Sequence, residues 1–304
     1  MPDPLQFVAA RMCGLVNLDK PPGMTSRQAV DIVKRLVYPA KTGHAGTLDP
    51  LATGVLAICV GSATRLISYV QRQPKRYRAT FLLGRASPTE DVEGQVTLLV
   101  DPPRPSRAEI IEAAARLTGE IQQRPPAFSA LKVAGRRAYD LARAGREVTL
   151  APRPVTIHAL EIVEYAYPEL TLDIRCGSGT YVRSLGRDLA ESLGTAAVMS
   201  ALVRTEIGAL NVVGAWSADR LYRDNVHDWL RPPVDAVFGL PTVCLSAEEI
   251  KAVGHGQFVT LGRDRHIEQP ESGELAALSS AGDLVAILAA RGEGVFGPRI
   301  NLLR

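Results

Sequence analysis

Apolar positions change their spacing several times along the first hundred residues, and each change marks an element. GLVNL, from Gly14, is a short apolar run cut off by DKPPG, which reads as a strand followed by a proline–glycine turn. Next, Val30, Val33, Leu36 and Val37 fall at helical spacing, behind a start that Ser26 is placed to cap. GVLAICVG, from Gly54 to Gly61, is apolar and rich in strand-forming residues, so it predicts a buried strand. SATRLISYVQ is again helical in character, and YRATFLLG alternates like a strand from Tyr77 to Leu83.

SRAEIIEAAARLTG carries the clearest helix signal. Ser106 and Glu109 match a capping box, Ile110, Ala114 and Leu117 share one face, and Gly119 is a stop. From Arg124 to Pro154 the character changes. Pro125, Pro126, Gly135, Gly145, Pro152 and Pro154 punctuate a stretch holding Arg124, Lys132, Arg136, Arg137, Arg143, Arg146 and Arg153 against Asp140 and Glu147. Such a stretch is expected to form a basic insertion standing off the core. VTIHALEIVEYA and LTLDIRCG then read as strands, followed by a helix from about Tyr181 to Leu193 that Gly194 closes. Prolines thin the chain near residues 230 to 242, where a boundary is expected between a domain of residues 1–235 and a second of residues 240–304. The second holds a helix capped by Ser246 and Glu249 and two β-like runs, ELAALSS and LVAILAA. Strands and helices mixed without regular βαβ alternation predict an α+β fold.

Composition narrows the class. With 304 residues, 46% of them hydrophobic, the chain can bury a sizeable core, which excludes global disorder. The net charge of +3 is a mild basic bias, and its concentration between Arg124 and Arg153 says more than its size. Four cysteines, Cys13, Cys59, Cys176 and Cys244, form no CxxC pair, and the five histidines are scattered. Neither a disulfide framework nor a metal centre has support in that spacing. The first residues lack the apolar core of a signal peptide, and no apolar run reaches membrane-spanning length, so a cytoplasmic protein is expected.

HAGTLDPLATG, from His44 to Gly54, is the stretch with the most chemistry in the least bulk. It lacks the GxxxxGK(S/T) and GxGxxG patterns of phosphate cradles, and CGSGT around Ser178 lacks the frame of a serine-hydrolase elbow. What remains is Asp49, His44, Tyr77 and Arg183. Each has an ordinary reading by itself: an aspartate before proline is a turn residue, a loop histidine has no special duty, a strand tyrosine packs, and an early helical arginine is solvated. Spacing alone leaves both readings open.

Five separated motifs, in order, resemble the bacterial tRNA pseudouridine-55 synthase family, the TruB-type pseudouridine synthases. They are GLVNLDKPPGMTS, GHAGTLDPLATGVL, KRYRATFLLG, RPPAFSALKVAGRRAYDLARAGREV and CGSGTYVRSLGRDL, which together span nearly the whole of the first 210 residues. One departure stands out: where the family tends to have a Thr-Asp-Thr-x-Asp run, this chain reads SPTED, with Pro88 in place of an acid and Asp91 kept. The resemblance implies a mixed, largely antiparallel sheet flanked by helices and loops, with a small PUA-like β-domain at the C-terminus.

It also implies an isomerisation of uridine to pseudouridine at position 55 in the T-loop of tRNA, a reaction that needs neither cofactor nor metal. Asp49 then carries the catalytic carboxylate, as nucleophile or as base. A base in a folded loop must be flipped out before its C1′ is reachable, and small residues around Asp49 leave room for it. His44 is expected to fill the space the base leaves, Tyr77 to stack on the flipped uracil, and Arg183 to pair with Asp49. Tyr181 and Leu202 are expected along the pocket wall, with Lys20 and Pro21 as support beneath the loop. Arg124, Lys132, Arg136, Arg137, Arg143 and Arg146 are expected to meet RNA phosphates. A monomer acting on bare tRNA is expected. The alternatives are a guide-RNA-dependent relative that works with accessory proteins, and a tRNA-folding chaperone that would not need the carboxylate of Asp49.

Overall fold

The structure, a computed structural model, describes residues 12–128, 132–133, 136–137, 150–262, 265 and 273–303. From the amino end, β1 (Gly14–Lys20) turns into α1 (Ser26–Val37), followed by β2 (Thr42–His44) and β3 (Thr53–Val60). A 3-10 turn and α2 (Ile67–Arg72) precede β4 (Lys75–Leu83), and the short β5 (Arg85–Ala86) and β6 (Thr97–Leu98) bracket an acidic loop. After α3 (Arg107–Arg116) and β7 (Gly119–Gln123) comes a small hairpin, β8 (Lys132–Val133) and β9 (Arg136–Arg137). The long β10 (Arg153–Ala166) and β11 (Glu169–Cys176) lead to α4 (Val182–Ser192) and β12 (Ala197–Ile207). Short pieces follow: β13 (Leu210–Asn211), β14 (Trp216–Ser217), α5 (Val226–Trp229) and β15 (Leu230–Arg231). The C-terminal part comprises β16 (Thr242–Cys244), α6 (Ala247–Gly254), β17 (Val259–Thr260), β18 (Glu274–Leu278), β19 (Leu284–Gly292) and β20 (Val295–Asn301).

Among the described residues the main sheet has eleven strands, with the path β14-β1-β3-β12-β4-β11-β10-β7, and the C-terminal sheet has five, β16-β18-β19-β20-β17. Pairing is antiparallel except for β1 with β14, β3 with β12 and β16 with β18. This is the expected α+β class with a small C-terminal β unit. The alternation in β4 has a direct outcome: Lys75, Tyr77, Ala79, Phe81 and Leu83 are buried, while the residues between are more open. α1 lays Ala29, Val30, Val33 and Val37 on that core, and α3 adds Ile110, Ala113 and Ala114. α4 packs so closely that a Cβ on Gly186 would sit 2.0 Å from Cε1 of Phe81. A second core cluster joins the two sheets, setting Leu15, Val55 and Ala57 with Ala276, Leu284 and Ile287.

The structure corrects or refines local expectations. Thr25, not Ser26, caps α1: its backbone is extended and its side chain forms a capping box with Gln28. Ser26 is the first helical residue and turns inward, where its hydroxyl accepts from Leu48 N (2.8 Å) and donates to Leu48 O (3.0 Å). The helix expected from Tyr181 begins at Val182, with Tyr181 as its N-cap residue. The basic insertion expected over residues 124–154 joins the core at its start, where Pro125 and Pro126 are buried, and most of it lies outside the described residues. Arg153, at its far end, is already the first residue of β10. Arg143 and Arg146, and the expected absence of a leader in residues 1–11, lie outside the described residues. Among the described residues, no helix is long and apolar enough to cross a membrane.

Candidate active site

The loop that carries Asp49 joins β2 to β3, at the centre of the main sheet. Its sharp path needs glycine at two places: Gly46 has φ +126°, and Gly54 has φ +93° with a would-be Cβ 2.3 Å from the carbonyl oxygen of Arg204. Asp49 closes a tight turn, its carbonyl accepting from Ala52 N at 3.0 Å. Neighbouring segments hold the loop through its backbone. Gly23 N donates to Pro50 O at 2.9 Å, and Ser26 pins both polar atoms of Leu48.

Two buried cations complete the clamp. Lys20 is fully buried, with Nζ donating to the carbonyls of Pro21 (2.9 Å), Met24 (2.7 Å) and Pro50 (3.3 Å). Arg204, 2% exposed, donates to Val55 O (2.7 Å), Gly46 O (3.2 Å) and Thr47 O (3.5 Å). Burial pushes the Lys20 pKa down, with Asp49 and Glu93 pulling the other way. Among the described residues neither cation forms an ion pair with a carboxylate, and both bond to main-chain oxygens of the loop or its neighbours.

On the open side, Asp49 keeps 35% of its side-chain surface and forms an ion pair with Arg183, Oδ2 lying 3.0 Å from Nε. The Arg183 guanidinium, 9% exposed, is held on all sides. Its Nη1 reaches Asp91 Oδ2 (3.3 Å) and Thr89 O (2.7 Å), and its Nη2 reaches Phe128 O (3.2 Å). Asp91, in the SPTED departure, therefore shares the cation with Asp49, and it also accepts from Thr89 Oγ1 and Glu93 N. One turn along α4, Arg187 pairs with Glu90 and Asp188 and donates to Arg124 O at 2.7 Å, while Ser184 donates to Glu90 at 2.8 Å. Burial raises the Glu90 carboxyl despite Arg187 beside it. Burial, then Asp91 and Asp49, raise that of Glu93.

Tyr77 and Leu202 lie in the same core cluster as Leu48 and Ala52. In register, Tyr77 faces Arg204 across β4 and β12. The phenol is buried and its pKa is raised by that burial, with Arg204 the nearest opposing influence, partly through a hydrogen bond. His44, on β2, has its pKa lowered by burial and then by Arg204, and its buried Nδ1 has no partner among the described residues. Such an imidazole is neutral at pH 7. The Tyr181 ring lies under the Arg153 guanidinium, 4.9 Å from it, while its backbone bonds to Gln123. Cys59 and Cys176 are buried, with pKa values raised to about 12 and about 11, so neither is poised as a thiolate.

Asp49, Arg183, Lys20 and Pro21 thus meet at one loop, with Tyr77 and Leu202 in the core beneath it. Arg124 lies apart, exposed and 4.0 Å from Glu191, and β8 sets Lys132 opposite Arg137 of β9. Sequence reasoning missed Arg204, Gln123 and Glu93. The strand pattern of SALVRTEIG held the one usable signal for Arg204, a cation at an inward position two residues after Leu202.

The arrangement offers an accessible carboxylate, aimed by a guanidinium, beside a buried phenol. Comparison with known proteins agrees with that chemistry. The family model described as TruB family pseudouridylate synthase (N terminal domain) matches residues 34–182. The chain is 40% identical over 297 residues to the tRNA pseudouridine synthase B of Bradyrhizobium diazoefficiens, covering 94% of this chain and 84% of that one. To the protein of the same name in Synechocystis it is 41% identical over 256 residues, 82% of this chain and 86% of that one. Among solved structures, one chain of a Cbf5-Nop10-Gar1 complex is similar with a TM-score of 0.72 and 25% identity, over 96% of this chain and 82% of that one. The chain belongs to the TruB family of pseudouridylate synthases.

Proposed function

We propose that this protein is a cytoplasmic tRNA pseudouridine synthase that acts, as a monomer, on the uridine at position 55 in the T-stem-loop. The observation that carries the reading is the Asp49–Arg183 pair: 3.0 Å apart, with the arginine buried and the aspartate still open to a substrate. In the reaction the bond from N1 to C1′ breaks and one from C5 to C1′ forms. C5 releases its hydrogen as a proton and N1 takes one up, so the change is redox-neutral. Asp49 is the group that acts on the sugar or the ring, and Arg183 holds it aimed. Tyr77 stacks on the extruded uracil and Leu202 supplies an apolar wall beside Tyr181. His44, neutral, fills the space the base leaves. Lys20 and Pro21 fix the loop from below.

The names of the relatives, all tRNA pseudouridine synthase B, support tRNA as the substrate. Arg124, Lys132, Arg136, Arg137, Arg143 and Arg146 neutralise its phosphates, residues 1–235 form the catalytic domain, and residues 240–304 form a PUA-like domain that can extend the RNA contact. Neutralising Arg136, Arg137 and Arg143 together should weaken tRNA binding and flatten its dependence on salt by about 0.7–0.9 log units per lost phosphate contact. An unchanged salt slope in filter binding would count against the insertion as the grip.

Tritium release from tRNA labelled at C5 of uridine, with the purified protein alone, tests the whole reading. Wild type should release tritium, whereas Asp49→Asn should release none and bind tRNA almost as well. Release by Asp49→Asn would remove the assignment of that acid. A wild-type protein that binds tRNA but releases nothing would favour a chaperone, or an enzyme that needs accessory proteins.

A further inference from the structure

The guanidinium of Arg183 donates hydrogen bonds to Thr89 O and Phe128 O and is ion-paired with Asp49 and Asp91. Three segments therefore hold the fork: the Asp49 loop, the acidic loop of residues 87–94, and the root of the basic insertion at residues 123–128. The third contact is made by a main-chain carbonyl, so it depends on where the backbone at Phe128 lies and not on the phenyl ring. Gln123 fixes that place. It is fully buried, and both ends of its amide bond to Tyr181: Oε1 accepts from Tyr181 N at 2.8 Å, and Nε2 donates to Tyr181 O at 3.0 Å. Tyr181 is the N-cap residue of α4, two positions before Arg183, and has no side-chain cap of its own. Between Gln123 and Phe128 stand two buried prolines, Pro125 and Pro126, whose fixed φ stiffens the link. Arg187 adds a parallel tie by donating to Arg124 O.

The geometry points to Gln123 as a positioning residue of the Asp49–Arg183 pair, acting on Arg183 from both sides: through the turn at Tyr181 and through the carbonyl of Phe128. This rests on the reading of Asp49 as the reacting acid. Gln123 touches no substrate in this role. It sets the orientation of the guanidinium, and through it the aim of the carboxylate. A misplacement of about 1 Å at a reacting group costs up to about a hundredfold in rate.

The test measures two quantities on full-length protein and intact tRNA: the single-turnover rate of pseudouridine formation at saturating enzyme, and the tRNA dissociation constant. Gln123→Met keeps the size of the side chain and removes both bonds. Its rate should fall by about tenfold or more, while the dissociation constant changes by less than about threefold. Gln123→Glu keeps the acceptor for Tyr181 N and loses the donor, so its rate should lie between the two. Combining Gln123→Met with Arg183→Lys should cost less than the product of the separate losses, because both act through one guanidinium. A Gln123→Met rate equal to wild type, or a loss carried by affinity alone, would overturn the role. So would equal damage in Gln123→Glu, or fully multiplicative losses in the double variant. A wild type that forms no pseudouridine in the same assay would instead overturn the reading of Asp49 beneath it.

Discussion

On one side of Asp49, Lys20 and Arg204 direct their hydrogen bonds to backbone carbonyls and pair with no carboxylate among the described residues; on the other, Arg183 and Arg187 bond to carbonyls too but also form ion pairs with carboxylates. The two arrangements solve different problems. Apart from Leu48 and Leu51 the loop offers mostly small side chains to pack, so much of its shape is imposed through its main chain. A buried cation does this well, since several inward-facing carbonyls can share one set of donors. The acid side has the opposite need, because there a side-chain charge must be held at one angle. A planar guanidinium fixed by several acceptors provides that angle, and lysine, a flexible point charge, would not.

The two arrangements respond differently to substitution. Arg183→Met should lower single-turnover pseudouridine formation by on the order of a hundredfold or more, since Asp49 loses its aim. It should also destabilise the fold by about 3 kcal/mol, because Asp91, 5% exposed, is left buried beside Asp49 without its cation. A variant with near-normal turnover would show that the pair is structural. Arg204→Met should show its main effect in stability. Three carbonyls lose their donor, a loss of about 3 kcal/mol readable as a lower urea midpoint at constant slope. An unchanged midpoint would mean that water or a shifted loop satisfies those oxygens equally well.

Lys75 gives the smallest and most pH-dependent effect. It repeats the backbone-clamp pattern on β4, with Nζ donating to Gln71 O (2.6 Å) and Gln73 O (2.7 Å), and burial lowers its pKa to about 8. Below pH 8 the folded and unfolded chains both hold the proton, and the folded state carries the full cost of burying the charge. Between pH 8 and the ordinary value of 10.5 the unfolded chain still holds a proton that the folded one has lost, so stability rises with pH. From pH 7 to pH 9.5, wild type should therefore gain on the order of 1–2 kcal/mol over Lys75→Met in urea unfolding. A gap that stays constant with pH would show that Lys75 titrates near its ordinary value.

Local pattern carried much of the fold. The alternation of β4, the apolar run of β3 and the capping boxes at Ser106 and Ser246 each depend on neighbours within a few residues, and each took the expected form. The errors arose where a residue serves a distant segment. Ser26 has the chemistry of a cap and the position of one, give or take a residue, yet its partner is Leu48. Arg204 reads as an ordinary strand cation until the register sets it beside Tyr77 and Gly54. Gln123 carries no sequence signal at all, because what matters about it is burial and a partner 58 residues away. The motifs led to Asp49 and Arg183 through resemblance; spacing alone could not have joined two residues on a loop and a helix so far apart in the chain.

Gly186 has a bearing on how this centre could be retuned. With the ring of Phe81 against its α-carbon, α4 sits closer to the sheet than any side chain at this position would permit. Arg183 lies three residues before this glycine on the same helix, so its placement depends on a close approach that a side chain at 186 would block. Alanine at position 186 would force α4 or the Phe81 ring to move by roughly 1.5 Å to regain ordinary contact, and a moved helix carries Arg183 with it.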